Sequence, residues 1–180
     1  GEVGRAKPIV TALIAFPLGH AIGQAMLSGG AIRYRMYSPA GFSAMEVGAT
    51  VLMCNLAYGL AVGLLLDVSL VLAADRLAPL FRLSAEWLVV LGCIGLAKDF
   101  GYMLLVAFRR APVRIRGWSF KLPTPAMTAL QYVVGVADVL LVSSVLYLLL
   151  PDSVQLAYLP FLAVYLASVL VGIVSHVPAG

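Results

Sequence analysis

The sequence predicts an all-α, polytopic integral membrane helix bundle of about five spanning or re-entrant helices. Of its 180 residues, 62% are hydrophobic and only 11% are charged, whereas an ordinary globular domain has about 25% charged residues. Most charged residues lie in short segments between apolar stretches, which approach the roughly 20 residues of helix that cross a bilayer core. A soluble fold would leave too few polar residues to face water, so we expect the function to lie within or across a membrane.

Five apolar segments are the candidates for these helices. The first, Pro8–Leu27, is interrupted by Pro17 and by several glycines, which favours a kinked or re-entrant helix packed inside a bundle. The second is Val47–Leu66, and an extension over Val68–Ala74 would lengthen it beyond Asp67. The remaining three candidates are Trp87–Phe108, Met127–Leu150 and Leu156–Val174.

The charges of the loops predict the orientation of the bundle. Five Lys or Arg residues lie within Arg109–Lys121, and Arg33 and Arg35 fall on the same side if all five segments cross. The opposite side holds four such residues: Arg5, Lys7, Arg76 and Arg82. The positive-inside rule therefore places Arg109–Lys121 in the cytoplasm. Its cations also suit attraction to an anionic leaflet, whereas nucleic-acid binding is not expected of a loop held at the membrane.

Small residues inside the spans predict close helix packing. Gly59 and Gly63 have the GxxxG spacing that lets two membrane helices approach closely. Cys54 and Cys93 lie within apolar segments and have no metal-ligand or CxxC spacing. We therefore expect both cysteines to be small core residues.

Charged residues within the spans are the first candidates for a functional site. A charged side chain at the bilayer centre costs roughly 2.5–3.5 kcal/mol on insertion scales, so it normally faces a bundle interior or a wet cavity. Lys98, Asp99 and Asp138 are placed in this way. Neighbours on a helix point about 100° apart, so Lys98 and Asp99 are not expected to pair with each other. A pair across helices with Asp138 or Asn55 is predicted instead, and it fits either a functional cavity or a purely structural polar pair.

Two further segments contain candidate binding residues. Ser28–Tyr37 combines two glycines, whose N–H groups we expect to be exposed, with Arg33 and Arg35 as phosphate donors and Tyr34 at the interface. The same residues also suit ordinary interfacial anchors. His176 closes the last span, where it fits either a helix end stabilised by terminal carbonyls or a mouth of a polar path.

The signatures of self-contained soluble enzymes do not occur in this sequence. P-loop, GxSxG, HExxH and SxxK motifs are all missing. With two histidines and no acidic cluster, a catalytic metal site is not expected. We therefore predict no catalytic residue, no metal and no cofactor in this chain.

Several stretches together resemble a known family. They are Ser28–Ser38 (SGGAIRYRMYS), Gly117–Thr124 (GWSFKLPT), Asp138 with Val145–Pro151 (VLYLLLP), and Ser175–Gly180 (SHVPAG). In this order they resemble the transmembrane region of the bacterial lysylphosphatidylglycerol synthase/flippase family, the multiple peptide resistance factors. The resemblance covers most of the chain.

The resemblance implies translocation of aminoacylated phosphatidylglycerol across the bacterial inner membrane, in a parent that acts as a phosphatidylglycerol lysyltransferase and confers resistance to cationic antimicrobial peptides. Its implied partners are anionic phospholipid, the aminoacyl-lipid and a cytosolic synthase domain that residues 1–180 do not contain. The resemblance leaves open whether the chain forms a homo-oligomer. Arg33 and Arg35 become candidates for phosphate contact. The lipid path would be lined by Lys98, Asp99 and Asp138, with His176 at its mouth.

An alternative interpretation gives the chain no transport role. The bundle would then be a membrane anchor or oligomerisation module that presents lipid to a separate synthase domain without flipping it. The sequence leaves open which amino acid the lipid carries, the energy source, the oligomeric state and whether the parent has a synthase domain.

Overall fold

The structure, a computed structural model, describes residues 8, 10–15, 25–108, 113–115, 118–120, 123–151 and 153–175. Residues 10–15 are helical. The helices that follow are α1 (Ala25–Tyr37), α2 (Ala44–Leu72), α3 (Ala74–Phe81), α4 (Ala85–Phe108), α5 (Pro125–Leu148) and α6 (Tyr158–Ser175). A 3₁₀ turn, Ser38–Ala40, follows α1, and two short strands, β1 (Val113–Ile115) and β2 (Trp118–Phe120), lie between α4 and α5.

Three helices, α2, α4 and α5, are long and apolar enough to cross a membrane. Only 17%, 17% and 11% of the residues in their most apolar windows are buried within the protein, so most of their apolar side chains face outward. Such a surface suits contact with lipid, since a soluble protein would turn these residues inward. Cys54 and Cys93 belong to this outer surface. The prediction that they are core residues was therefore wrong.

The helices form close to the predicted positions. The predicted Trp87–Phe108 and Met127–Leu150 correspond to α4 and α5, and Leu156–Val174 corresponds to α6. Within the predicted first segment, Pro8–Leu27, residues 16–24 lie outside the described part of the chain. Whether that segment is kinked or re-entrant is therefore not tested.

The chain enters α2 through a tight turn and a capping box. Gly41 has φ +86°, a left-handed conformation that a residue with a Cβ rarely adopts. The backbone N–H of Glu46 then donates to Ser43 Oγ at 3.3 Å, and Ser43 N–H donates back to Glu46 Oε2 at 2.8 Å. This reciprocal pair satisfies N–H groups that the first helical turn leaves unpaired, and it fixes where α2 begins.

The short helix α3 is amphipathic and carries the apolar core at the α2–α4 connection. Leu77 is fully buried with Ala74, whereas Asp75 and Arg76 on the opposite face are exposed. Leu77 belongs to a core cluster with buried residues of neighbouring elements: Ala73, Ala74, Leu88 and Ala163. Leu66, Leu70, Ala78, Phe81, Ala85, Val89 and Leu159 pack around this cluster. We call all of these residues the apolar plug.

The segment between α4 and α5 contains a β-hairpin that the all-α prediction did not include. β1 and β2 pair antiparallel, with Val113 opposite Phe120 and Ile115 opposite Trp118. In each strand β-branched or aromatic residues alternate with a polar residue, which favours strands over helix in this run. After the hairpin, Thr124 caps α5 by accepting the N–H of Met127 on its side-chain oxygen at 3.2 Å.

Tyrosine side chains join α5 to α6. The hydroxyl of Tyr158 lies 2.9 Å from Ser143 Oγ and 3.0 Å from Ser144 Oγ. Tyr147 donates its hydroxyl hydrogen to the carbonyl of Leu156 at 2.8 Å. These bonds satisfy polar groups that would otherwise be costly in an apolar environment, and they hold the connection between the two helices.

The chain divides into two compact units. One comprises Gly1–Leu56 with Val169–Gly180, and the other comprises Ala57–Ser168. In the first unit Val47 and Val51 of α2 are buried. The second unit contains the rest of α2, all of α3, α4 and α5, the first part of α6 and the polar residues described next.

Candidate functional site

Three charged side chains meet where α2 and α4 pack against each other. The Lys98 ammonium lies 3.5 Å from Asp67 Oδ2 and 3.4 Å from Asp99 Oδ1. The two carboxylate side chains are only 13% and 6% exposed, respectively, whereas the lysine side chain is 56% exposed. We call Asp67, Lys98 and Asp99 the ion cluster. It is a pair of buried carboxylates behind one accessible cation.

Glycines make room for the ion cluster. A Cβ at Gly95 of α4 would overlap the carboxylate of Asp67, and a Cβ at Gly63 of α2 would lie 3.1 Å from Lys98 Nζ. One turn earlier, a Cβ at Gly92 would lie 2.7 Å from the Asp67 carbonyl oxygen and from Val71 Cγ2. Glycine at these positions lets two helix backbones approach closely, and the resulting space holds the charged groups.

The third long helix, α5, completes the site with a hydroxyl donor. Tyr132 donates to Asp99 Oδ1 at 3.0 Å. One turn further along α5, a Cβ at Gly135 would come 2.7 Å from Ala61 Cβ and 3.2 Å from the Ala57 carbonyl oxygen. This close contact with α2 holds Tyr132 against the ion cluster.

More buried polar atoms follow on the same faces of α4 and α5. Tyr102 lies one turn after Asp99, and Thr128 lies one turn before Tyr132. The Tyr102 and Thr128 hydroxyls are near each other without a hydrogen bond of standard geometry. Gln131 Oε1 is likewise buried and has no hydrogen-bond partner among the described residues. We call Tyr132, Tyr102, Thr128 and Gln131 the polar path.

The ion cluster lies far from both ends of α4. With a rise of 1.5 Å per residue, Asp99 is about 14 Å along the axis of α4 from Phe108 and about 21 Å from Ala85. A bilayer core is about 30 Å thick. A helix of this length that crosses a bilayer would therefore hold Asp99 within the hydrocarbon core.

Two predictions about the partners of Lys98 and Asp99 were wrong. We expected the two neighbours not to pair, because their Cβ atoms diverge around the helix. The flexible lysine stem nevertheless brings Nζ back to Asp99 as it passes over Gly63 toward α2. The predicted partners across helices, Asp138 and Asn55, were also wrong, since Asn55 donates to the Val51 carbonyl of its own helix at 2.8 Å.

Asp138 does not belong to the ion cluster. It is exposed on α5, and its electrostatic neighbours are Tyr58 and Tyr165. The residue that sequence reasoning missed as a site residue is Asp67, which we placed between the span Val47–Leu66 and its extension over Val68–Ala74. The signal that could have identified it is the run Leu64–Leu72, which contains neither Gly nor Pro and therefore continues the helix through Asp67.

The predicted phosphate-binding segment is helical. Gly29 and Gly30 lie inside α1, so their N–H groups are used within the helix, contrary to the expectation that they are exposed. Tyr34 and Arg35 are exposed and Arg33 is partly buried. Among the described residues, no acidic side chain forms a salt bridge with either arginine. His176, like Arg109, Arg110 and Lys121, lies outside the described residues.

Comparison with known proteins gives a distant relative whose function is not assigned. No protein-family model matches the chain. An uncharacterized protein of Synechocystis sp. is 31% identical over 176 residues, which are 97% of this chain and 54% of that protein. The chain thus spans about half the length of the relative that it matches.

Proposed function

We propose that the chain forms part of a membrane region that translocates aminoacylated phosphatidylglycerol across the bacterial inner membrane, with the ion cluster as a contact for the headgroup. The observation that carries the proposal is the burial of Asp67 and Asp99 beside Lys98 between two apolar helices. A charge at this depth costs roughly 2.5–3.5 kcal/mol on insertion scales, so charged residues there usually mark a pathway for a polar substrate.

The charges of the ion cluster suit a lysyl-lipid headgroup. Two carboxylates and one ammonium give the cluster a formal charge of −1. Lysyl-phosphatidylglycerol contains one phosphodiester and two amines, which leaves it with one excess positive charge. Lys98 would contact the phosphate while the carboxylates of Asp67 and Asp99 accept hydrogen bonds from the amines. A site of both signs therefore compensates every charge of this headgroup.

The unequal exposure within the cluster supports binding over a purely structural role. A closed ion pair would bury its cation as well as its anions. Here the lysine side chain is mostly exposed, while both aspartates are nearly buried. The cation is thus open to an incoming phosphate.

The proposal includes a membrane topology for the chain. Helix α6 and the segment Pro8–Leu27 join the three long helices to make five spanning or re-entrant segments. Arg109–Lys121 faces the cytoplasm, where it attracts the anionic leaflet from which the lipid enters. Arg33 and Arg35 provide a second phosphate contact near the interface. In this proposal a cytosolic phosphatidylglycerol lysyltransferase domain of the same parent supplies the lipid.

The test measures lysyl-phosphatidylglycerol in the outer leaflet of cells that make the intact protein, using a membrane-impermeant amine reagent. Lys98→Met removes the accessible cation, and Lys98→Arg is its matched control. At equal protein and equal total lipid, we expect the labelled fraction to fall in Lys98→Met and to be retained in Lys98→Arg. Asp138→Asn, a span carboxylate outside the cluster, should have a smaller effect than Lys98→Met.

An unchanged labelled fraction in Lys98→Met would reject the headgroup site. If Arg33→Ala/Arg35→Ala also left the fraction unchanged, the bundle would instead act as an anchor that presents lipid to the synthase domain. Synthesis that falls together with the labelled fraction would point to the same alternative.

A further inference from the structure

Buried polar atoms without a hydrogen-bond partner lie beyond the ion cluster, toward the end of α4 at Phe108. Toward Phe108 and Thr124, the atoms Tyr102 Oη, Thr128 Oγ1 and Gln131 Oε1 are buried without a hydrogen-bond partner among the described residues. Buried polar groups in proteins are nearly always satisfied, and ordered water serves where no protein group does. These atoms lie on α4 and α5, where ordered water along the polar path would satisfy them.

The opposite direction is closed. Toward Ala85, the apolar plug fills the space, with Leu77 and Leu88 almost fully buried and Ala163 of α6 completely buried. The side chains of the plug are apolar, and the buried Ser69 hydroxyl of α2 donates to the Leu65 carbonyl of its own helix at 2.7 Å. Among the described residues, the unpartnered polar atoms thus lead from Asp99 toward the face of Phe108 and Thr124.

One oxygen of Asp99 is placed to take up a proton. Oδ1 accepts from Tyr132 at 3.0 Å and faces the Lys98 ammonium at 3.4 Å. Oδ2 is buried and has no hydrogen-bond partner among the described residues. The titratable and charged groups that surround this carboxylate are Asp67 of α2, Lys98 and Tyr102 of α4, and Tyr132 of α5.

We propose that Asp99 is a proton-binding site, loaded at Oδ2 through the polar path from the face of Phe108 and Thr124. Hydronium transfers a proton to Oδ2: one of its O–H bonds breaks, an O–H bond to Oδ2 forms and water is released. The ion cluster changes from a formal charge of −1 to 0. Lys98 keeps its charge and loses one of its two counter-ions. Protonation therefore weakens the hold on a cation and frees the ammonium for an anion.

Proton binding at Asp99 would be coupled to lipid movement, and this step rests on the proposed function. A proton and the cationic amine of the headgroup compete for the same carboxylates, so the two cannot occupy the cluster together. Exchange of one for the other, with the apolar plug opening on the opposite face, would let a proton gradient drive lipid translocation.

The first measurement is the protonated-carboxyl infrared band of the full chain in phosphatidylglycerol vesicles, titrated with pH in the absence of aminoacyl-lipid. We expect a titrating band that is lost in Asp99→Asn. Asp67→Asn serves as a second isosteric variant, because it alters the cluster and should shift the band without removing it. A spectrum with no band assignable to Asp99 across the titration would overturn the proposal.

The polar path is tested by pH-jump kinetics of the same band. Thr128→Val and Tyr132→Phe remove one hydroxyl each and should slow its appearance. Ser143→Ala is the matched control, since it removes a buried α5 hydroxyl that bonds to Leu140 and Tyr158 outside the path. Equal rates in all three variants and the wild type would refute proton entry by this route.

The third arm adds lysyl-phosphatidylglycerol to the vesicles. Competition predicts that the lipid decreases the amplitude of the Asp99 band at a fixed pH. If the band titrates but its amplitude does not change when lipid is added, the proton site is supported and the proposed headgroup contact is rejected. If lipid moves across the membrane while Asp99 never exchanges a proton, the proposed function stands and the proton site fails.

Discussion

A single methyl group added at Gly92 should separate α2 from α4. The ideal Cβ would lie 2.7 Å from both the Asp67 carbonyl oxygen and Val71 Cγ2, and 3.2 Å from Leu70 Cβ. Optimal contacts between such atoms are about 3.5–4.0 Å, so the helices must move apart by about 0.8 Å or more. Because one of the opposing atoms belongs to the backbone, no side-chain rotation relieves the overlap.

Gly101 provides a matched control on the same helix. A Cβ there would meet nothing within 4 Å, so Gly101→Ala shows only the helix-propensity gain of about 1 kcal/mol. Gly92→Ala receives the same gain but suffers overpacking of about 1–3 kcal/mol. The propensity gain cancels between the two variants. Gly92→Ala should therefore be about 1–3 kcal/mol less stable than Gly101→Ala.

The assay is reversible unfolding of the full chain in mixed micelles, followed by far-ultraviolet circular dichroism. The two variants differ by one methyl group each, and the helix is the same, so the comparison isolates the α2–α4 contact. Equal unfolding free energies for Gly92→Ala and Gly101→Ala would show that the helices are not in contact at Gly92. The placement of the ion cluster would then be wrong as well.

Three further substitutions test individual bonds by the same unfolding assay. Tyr132→Phe removes a hydrogen bond to the Asp99 carboxylate and should cost about 1.5–3 kcal/mol; a neutral result would mean that the tyrosine does not contact the ion cluster. Tyr158→Phe should cost about 1 kcal/mol, because Ser143 loses a partner, and an equal loss in a Ser143→Ala background would contradict that pairing. Thr124→Ala should cost about 1 kcal/mol by removing a helix cap, whereas Thr124→Ser should retain most of the stability.

The long helices were predictable from the sequence because their determinants are local. α4 begins two residues before the predicted Trp87 and ends at the predicted Phe108. Its start is set by Ser84, which accepts the N–H of Trp87 at 3.4 Å, and Ser at this position is a recognised start signal. The strands at 113–115 and 118–120 were missed because we interpreted that loop only through its charges.

The partners of the charged residues were not predictable in the same way. Lys98 and Asp99 were identified as expensive charges at membrane depth, which depends only on composition and position. The pairing of Lys98 with Asp67 depends on Gly63 and Gly95, which leave room for these two side chains between α2 and α4. Single-sequence patterns do not give the register between helices. Asp138 was chosen by the same argument from its position in a span, but it lies outside the ion cluster. The sequence alone does not show which residues of two helices meet.

The length of α2 explains why Asp67 was misplaced and why it can act where it does. At 1.5 Å per residue, Ala44–Leu72 is about 43 Å long, which exceeds a bilayer core of about 30 Å. Counting apolar residues from the start of such a helix ends the span too early and leaves Asp67 at the membrane surface. The contacts of Asp67 with Gly92 and Gly95 instead place it alongside the middle of α4. A helix of this length thus carries a carboxylate past its predicted end, to a place beside α4 where Lys98 compensates its charge.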